Sequence, residues 1–456
     1  PKSDLSLALG RLTLQTADRH QLQTRTVIQS PQTLVTLMWG DNADLALITR
    51  LELFGKLGDF WTRTDGKSRW SARKGLHIRD KSRIPVSSEP LRDMGFVKIE
   101  SLSAGVPVLH SSLLVNWPDD QPQVALLDEK MLEHFDGPRV LFADGFSRED
   151  LALRAVYYDQ PASFTKSIGV IAGSEADSGL LKFVAVYLRS SLGRYFLMMR
   201  AWKMLCERNA VHLSDVATFP FFEPEAGTDP ERSTRALENV SLKVAQLTAI
   251  EEWQQNAEYL NMKEELDEHV FDYFDLSVEE RALVRETVNV FMPSIRPRGY
   301  RSLNTPAQQS ASKADVEIYA QTLSNELTNW RKRTNGQGRF HVHVVNSEQS
   351  RAGPVGIARI EFDDQKTTEG SSSVIVNNDA VIALLSELGA QGLSIMPSTE
   401  SLWFVPDTFI WSDGAVIVAR TLTRRNWTIR QALRDAEHIV RSVQERQTSK
   451  NKPVAV

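Results

Sequence analysis

The sequence predicts an α+β protein: a mixed α/β unit, a helical hairpin as spacer, then a second, smaller α+β unit. Three observations point there. Short strand-like runs separated by turn residues follow Trp61 and lead into a long apolar helix. A stretch rich in Pro, Ser and Gln occupies 293–313. After it, strand-like runs and amphipathic helices begin again. At 456 residues the chain is long enough for two or three domains with full cores.

The first fifty residues mix short apolar runs with Thr, Gln and Ser, as in "TLVTLMWG" (Thr33–Gly40), and define no domain of their own. "ADLALITRLELFGKLGDFW" (Ala43–Trp61) reads as a helix with Leu45, Ile48, Leu51 and Phe54 recurring every three residues, closed by Gly55 and Gly58. The runs "GFVKIES", "PQVALLD", "RVLFADG", "LRAVYYD" and "SIGVIAG" read as strands of a unit spanning 51–228. Thr228-Asp229-Pro230-Glu231 is a helix start, a capping side chain followed by proline in the first turn. Ser277-Val278-Glu279-Glu280 is a capping box before "RALVRETVNVF". These two starts make 229–292 a helical hairpin, and 293–313 is the linker.

From 314 to 448 a second α+β unit is expected. A helix ends near Trp330, and "GRFHVHVVN" pairs with "GPVGIARIEF" as a hairpin. "AVIALLSELG" presents Val381, Leu384, Leu385 and Leu388 on one face, with Gly389 past its end. Strands around Trp403, Phe409 and Val416 precede a closing helix that starts at Thr428. A charged tail begins near Gln444, and residues 449–456 lie beyond the fold. No internal repeat is visible.

Composition narrows the function classes. Net charge is −5, so any anion-binding face must be local. The only cysteine is Cys206, which excludes a disulfide framework and fits a reducing, cytoplasmic setting. The longest apolar region, about 180–205, carries Lys182, Arg189, Arg194, Arg200 and Lys203, so no membrane span is expected. No signal peptide is read, and the start at Pro1 reads as the interior of a longer protein.

The strongest local anomaly is "RTDGKSRWSARKGLHIRDKSR" (Arg63–Arg83), with eight Lys/Arg against two Asp. Arg63, Lys67, Arg69, Arg73, Lys74, Arg79, Lys81 and Arg83 on a loop could neutralise phosphates, and Trp70 and His77 are interleaved, Trp70 with a face for base stacking. The alternative is a solvated loop with a chance excess of charge. "SSLGRYFLMMRAWKMLCERNAVHLSDVATFPF" (Ser190–Phe221) adds Arg194, Arg200, Lys203 and Arg208 on an apolar helix. His341-x-His343 would share one side of a strand, but no third metal ligand lies nearby in sequence, so no metal is expected. No nucleotide-cradling glycine loop, nucleophile elbow or acid–base carboxylate pair is present, and no catalytic residue is assigned.

The stretch Leu180–Pro224 resembles the C-terminal part of adenine-specific DNA methyltransferases of restriction-modification and phage-defence systems. Tyr187-Leu188-Arg189-Ser190-Ser191-Leu192 stands where that family has a helix with a Leu-Asn-Ser core. Val216-Ala217-Thr218-Phe219-Pro220-Phe221 stands at its closing Pro-Phe strand. "LFGKLGDFWTRTDG" resembles the start of the target recognition domain, and "GPRVLFADGFS" its middle strand. "PKSDLSL" resembles the junction with an upstream methyltransferase domain, which makes 1–50 a junction segment. "HVFDYFDLSVEERALV" resembles the helical segment that follows, so the likeness covers about residues 1–292.

The family's Asp/Asn-Pro-Pro-Tyr/Phe and F-x-G-x-G signatures do not occur in this sequence. The resemblance therefore implies target recognition in this chain, with S-adenosylmethionine bound by a catalytic domain or partner subunit. Double-stranded DNA and that catalytic part are the implied partners. On the same resemblance the cations of 190–221 would line the face that carries the basic loop. An alternative class is a non-catalytic assembly scaffold in a defence complex, its basic loop meeting an acidic protein.

Overall fold

A computed structural model of the chain describes residues 22–62, 68–79, 84–103, 105–125, 127–147, 151–200, 210–295, 305–347, 355–364, 372–376, 408–412 and 414–450. The fold is α+β and divides into two compact units, Gln21–Val284 and a second that contains Arg285–Val456. Among the described residues, no helix is long and apolar enough to cross a membrane.

The first unit opens with α1 (Thr24–Gln29), α2 (Gln32–Trp39) and α3 (Asn42–Leu51). The Asp41 side chain accepts from the Ala43 and Asp44 amides, and the Asp44 carboxylate accepts from the Asp41 amide, so α3 begins in a capping box. Its buried face is Asp44, Leu47, Ile48 and Leu51, a four-residue stripe instead of the three-residue spacing expected. The helix ends at Leu51, earlier than expected: the Leu53 and Phe54 amides make tighter turn bonds to Arg50 O and Leu51 O, and from Leu57 the amides pair with a distant segment. Leu57 N donates to Phe219 O at 2.8 Å and Gly58 N to Ala217 O at 3.0 Å. A Cβ on Gly58 would lie 2.9 Å from that Ala217 carbonyl, so only glycine allows the approach. Thr36 Oγ1 donates to Met199 O and Tyr195 Oη to Asp44, so residues 24–51 belong to this unit and are not a separate junction.

Strands β1 (Ser71–Lys74), β2 (Val86–Ser87), β3 (Gly95–Val97), β4 (Gln123–Val124), β5 (Arg139–Phe146), β6 (Leu153–Tyr158), β7 (Ala162–Phe164) and β8 (Ile168–Ala172) follow, with α4 (Glu129–Leu132) before β5. The main antiparallel sheet has the order β1-β8-β5-β6, which puts β5 inside and β1 at an edge. On one face Leu141, Ala143, Val156, Ile168 and Val170 pack with Leu76, Trp117, Phe135 and Phe164. Helix α5 (Ser178–Arg189) packs on β5 and β6. It breaks at Ser190, which has extended backbone, before α6 (Ser191–Arg200).

Helix α7 (Leu213–Val216) leads to α8 (Pro230–Ala249) and α9 (Glu252–Tyr273). Asp229 accepts from Arg232 N, the cap expected from its sequence. Arg232 pairs with Asp272 and Asp275, and Lys243 with Glu265, so α8 and α9 run antiparallel as a hairpin. Ser277 and Glu280 form the reciprocal bonds of the expected box at the start of α10 (Val278–Glu286).

The second unit holds α11 (Met292–Ile295), α12 (Lys313–Arg333), β9 (Arg339–Ser347), β10 (Val355–Asp363), β11 (Ser373–Val376), β12 (Thr408–Ser412), β13 (Ala415–Thr421) and α13 (Ile429–Lys450). The sheet order is β11-β9-β10-β13-β12, with β11 parallel to β9 and the other pairs antiparallel. Val316, Tyr319, Leu323 and Leu327 of α12 and Ala432, Ala436 and Ile439 of α13 pack with Val342, Val344, Ala358, Ile360 and Val418. The Glu286 carboxylate accepts from the Ile429 and Arg430 amides and so caps α13. The second half of the expected linker is part of this unit: Ala311 N donates to Leu422 O at 2.8 Å and Ser310 bridges Thr423. The expected 380–389 helix and the Trp403 strand lie outside the described residues.

Candidate nucleic-acid interface

Of the basic run, Arg63, Lys67, Lys81 and Arg83 lie outside the described residues, as do Lys203 and Arg208 of the second group. The central part is not a free loop. Ser71–Lys74 forms β1, paired with β8 from Ser71↔Ala172 to Lys74↔Gly169. Strand alternation sends Arg73 and Lys74 to opposite faces, so the run cannot act as one row of charge.

Two of the cations are held by carboxylates distant in sequence. Arg69 Nε lies 2.5 Å from Asp177 Oδ1, and its Nη1 lies 2.6 Å from Glu223 Oε1. Burial alone would raise the Asp177 carboxyl, but hydrogen bonds from Ser174 and Arg69 outweigh it and hold the group below its ordinary value. Lys74 Nζ lies 2.8 Å from Asp144 Oδ2, and His212 Nδ1 approaches the other oxygen at 3.4 Å. Arg73 makes no ion pair among the described residues. It lies close enough to His134 to add to the burial that lowers that imidazole's proton affinity. Arg79 is exposed, and His77 is half-buried with its carbonyl accepting from Ala125 N.

The expected stacking role of Trp70 is corrected. The indole is 3% exposed and lies 4.6 Å from the Phe60 ring and 5.8 Å from Phe221. Its apolar faces are consumed by the core, where about 3–5 kcal/mol is the usual worth of such a side chain.

The helix cations are corrected as well. Arg194 is buried, and its Nη2 donates to Ser191 Oγ at 3.3 Å, while the Ser191 amide and hydroxyl donate to Asp267 of α9. Arg200 pairs with Glu52 and donates to Thr36 Oγ1. Arg189 donates to the carbonyls of Ala155 and Gly105. A guanidinium has five donors in a fixed fork, and inside a domain backbone carbonyls and carboxylates satisfy them. Ser191, to which Arg194 donates, thus ties α6 to α9, and Arg200 ties α6 to the α2–α3 region.

His341 and His343 stand with parallel rings 6.4 Å apart, His341 beside Asp363 and His343 bonded to Ser373. No group of three or more His, Cys, Asp or Glu able to hold a metal occurs among the described residues. The partners that sequence reasoning missed are Asp144, Asp177, His212 and Glu223. Only Asp177 left a local signal: Ser174-Glu175-Ala176-Asp177 is a capping box, and its Asp177 carboxylate accepts from the Ser174 amide and hydroxyl. No protein-family model matches the chain, and no curated protein sequence matches it.

Proposed function

We propose that this chain is the sequence-specific DNA-recognition part of an adenine-specific DNA methyltransferase from a restriction-modification or phage-defence system. It would position target DNA for a catalytic domain or subunit that binds S-adenosylmethionine. The observation that carries this reading is that the separated segments of the resemblance meet in one unit. The start, "LFGKLGDFW", pairs with the closing segment through Leu57–Phe219, Gly58–Ala217 and the 2.8 Å bond from Phe221 N to Gly55 O. The middle strand β5 lies inside the sheet they adjoin.

A domain with paired entry and exit segments presents its intervening loops from a fixed base. Phosphate contacts then set register while side chains read groove edges. Flipping a base for methylation costs a few kcal/mol, which such a grip offsets. Among the described residues of the run, the cations available for it are Arg73 and Arg79. The scaffold reading draws on the neutralisation of Arg69 and Lys74 within the chain.

Anisotropy titration of a random duplex at several salt concentrations decides between them. Recognition of DNA requires log K to fall linearly with log salt. No duplex binding at low salt, with salt-independent capture of a partner protein, would support the scaffold instead.

A further inference from the structure

The outer face of the α8–α9 hairpin is apolar where contact with water alone would favour polar residues. Trp253 is 74% exposed, Leu260 65% and Leu242 60%. These side chains are aligned. On α8, Leu242, Ala245 and Ala249 are exposed on the side opposite the buried stripe of Ala236, Val240, Val244 and Leu247. On α9, Trp253, Ala257 and Leu260 are exposed opposite Gln255, Tyr259, Met262 and Leu266. The hairpin packs on α5 and α6, so both outer stripes face away from the body of the unit.

The bond from Gln255 Nε2 to Leu247 O, 3.0 Å, fixes the register of the antiparallel pair. Counted from it, Leu242 stands about level with Leu260, Ala245 with Ala257 and Ala249 with Trp253. The alanines floor a shallow trough, closed by the leucines at one end and the indole at the other. Single exposed leucines are ordinary, but a contiguous apolar patch marks an interaction site. A tryptophan alone offers a partner about 150–250 Å².

Charge selects the partner. Glu238 and Glu264 stand about level with each other beyond the two leucines, and Glu251 lies beyond Ala249 at the indole end. All three are exposed and make no ion pair among the described residues. Arg235 lies a further turn out on α8. Both ends of the trough are thus acidic, which repels nucleic acid and an anionic membrane surface. A second copy laid along the trough in either direction sets carboxylate on carboxylate. A helix with an apolar stripe and a cation at each end meets neither conflict.

We propose that this trough docks an amphipathic helix of a partner protein, its apolar stripe bounded at both ends by Lys or Arg. From Glu238 to Glu251 the span is about 20 Å at 1.5 Å per residue, so the partner's cations stand about thirteen residues apart. The proposal goes beyond DNA recognition and holds equally for an assembly scaffold.

Two labelled, stapled helical peptides test it on the full chain by fluorescence anisotropy. Each carries one stripe of leucines, with lysines at both ends in one and glutamates in the other. Trp253→Ser with Leu260→Ser removes the exposed apolar groups, and Glu238→Lys with Glu251→Lys and Glu264→Lys reverses the ends. The lysine peptide should bind saturably, and at least about tenfold more weakly to the serine variant. The lysine variant should prefer the glutamate peptide. Equal binding of both peptides, or lysine-peptide binding indifferent to the serine changes, would overturn the proposal. No binding up to about 1 mM would do the same. A concentration-dependent dimer abolished by the serine changes would give the trough to a second copy instead.

Discussion

Arg69 illustrates how a charge that reads as a ligand contact can be a structural bond. Its partner Asp177 is 4% exposed and carries a carboxyl held below the ordinary 3.8, so the ion pair contributes stability above that pH. The contribution is lost as pH falls through the lowered value, where the folded state must also take up the proton. Arg69→Ala should therefore cost about 1.5–3 kcal/mol at pH 7, the range for a hydrogen bond to a charged group. Glu223 is half exposed and adds little. Urea melts of both proteins should converge as pH drops below about 4; a gap that stays constant down to pH 3 would show that the Asp177 pair is not its source. The same geometry sets the expected DNA response. Arg73→Ala should shrink the log–log salt slope of duplex binding by about 0.9, the value for one phosphate. The triple variant at Arg69, Arg73 and Lys74 should shrink it by little more, because the other two cations are already neutralised. A triple-variant loss near ~2.7, three phosphates' worth, would show that DNA pulls those ion pairs apart.

At the scale of elements, the break between α5 and α6 is built from one serine and one glycine. Ser190 Oγ donates to Tyr187 O and accepts from Gly193 N, replacing bonds the helix interruption would leave open. A Cβ on Gly193 would stand 2.3 Å from the Tyr187 carbonyl, and backbone cannot yield as a side-chain tip can. Gly193→Ala should destabilise the protein by about 1–3 kcal/mol, the range for overpacking, read by chemical denaturation; an unchanged midpoint would mean the two helices can re-angle freely. This break was not legible in the sequence, where apolar spacing runs on through Leu192 and Leu197. Helix starts were legible, at Asp229, Ser277 and Thr428, since capping is an interaction among residues within one turn. The β9–β10 hairpin was legible from two runs on either side of a short connection. The edge strand β1 was not, because Ser-Ala-Arg-Lys has no strand propensity and is held by pairing with β8, nearly a hundred residues on. The ion pairs within the basic run were not legible for the same reason: a charge run is local, but Asp144, Asp177 and Glu223 reach it only through the fold.

For the whole molecule, the expectation of two successive α+β units matches the element order. The expected spacer hairpin of helices starting at Asp229 and Ser277 does not: the paired helices are α8 and α9, both inside the first unit. The division falls at Val284/Arg285, within α10, and not in 293–313. Each unit encloses its own apolar cluster, and the second also holds a buried polar network. Arg420 and Asp435, each about 2% exposed, meet through two bonds of 2.9 and 3.2 Å. Tyr319 Oη and Gln431 Nε2 complete the carboxylate's partners, and the guanidinium also lies over the Phe409 ring. Removing one side of a buried pair leaves the other charge uncompensated, so Asp435→Ala should cost about 3–5 kcal/mol, more than the pair itself is worth. Every group in that network belongs to the second unit, and so the loss should fall on that unit's unfolding. Calorimetry of the full chain should then show one transition moved down and the other in place, since sites without shared partners act additively. Trp70→Ala, which removes a buried side chain from the first unit, should do the converse and lower the other transition. If either substitution moves a single transition that accounts for all the heat, the two cores unfold as one cooperative structure, and 285–456 cannot be treated as an independent folding unit.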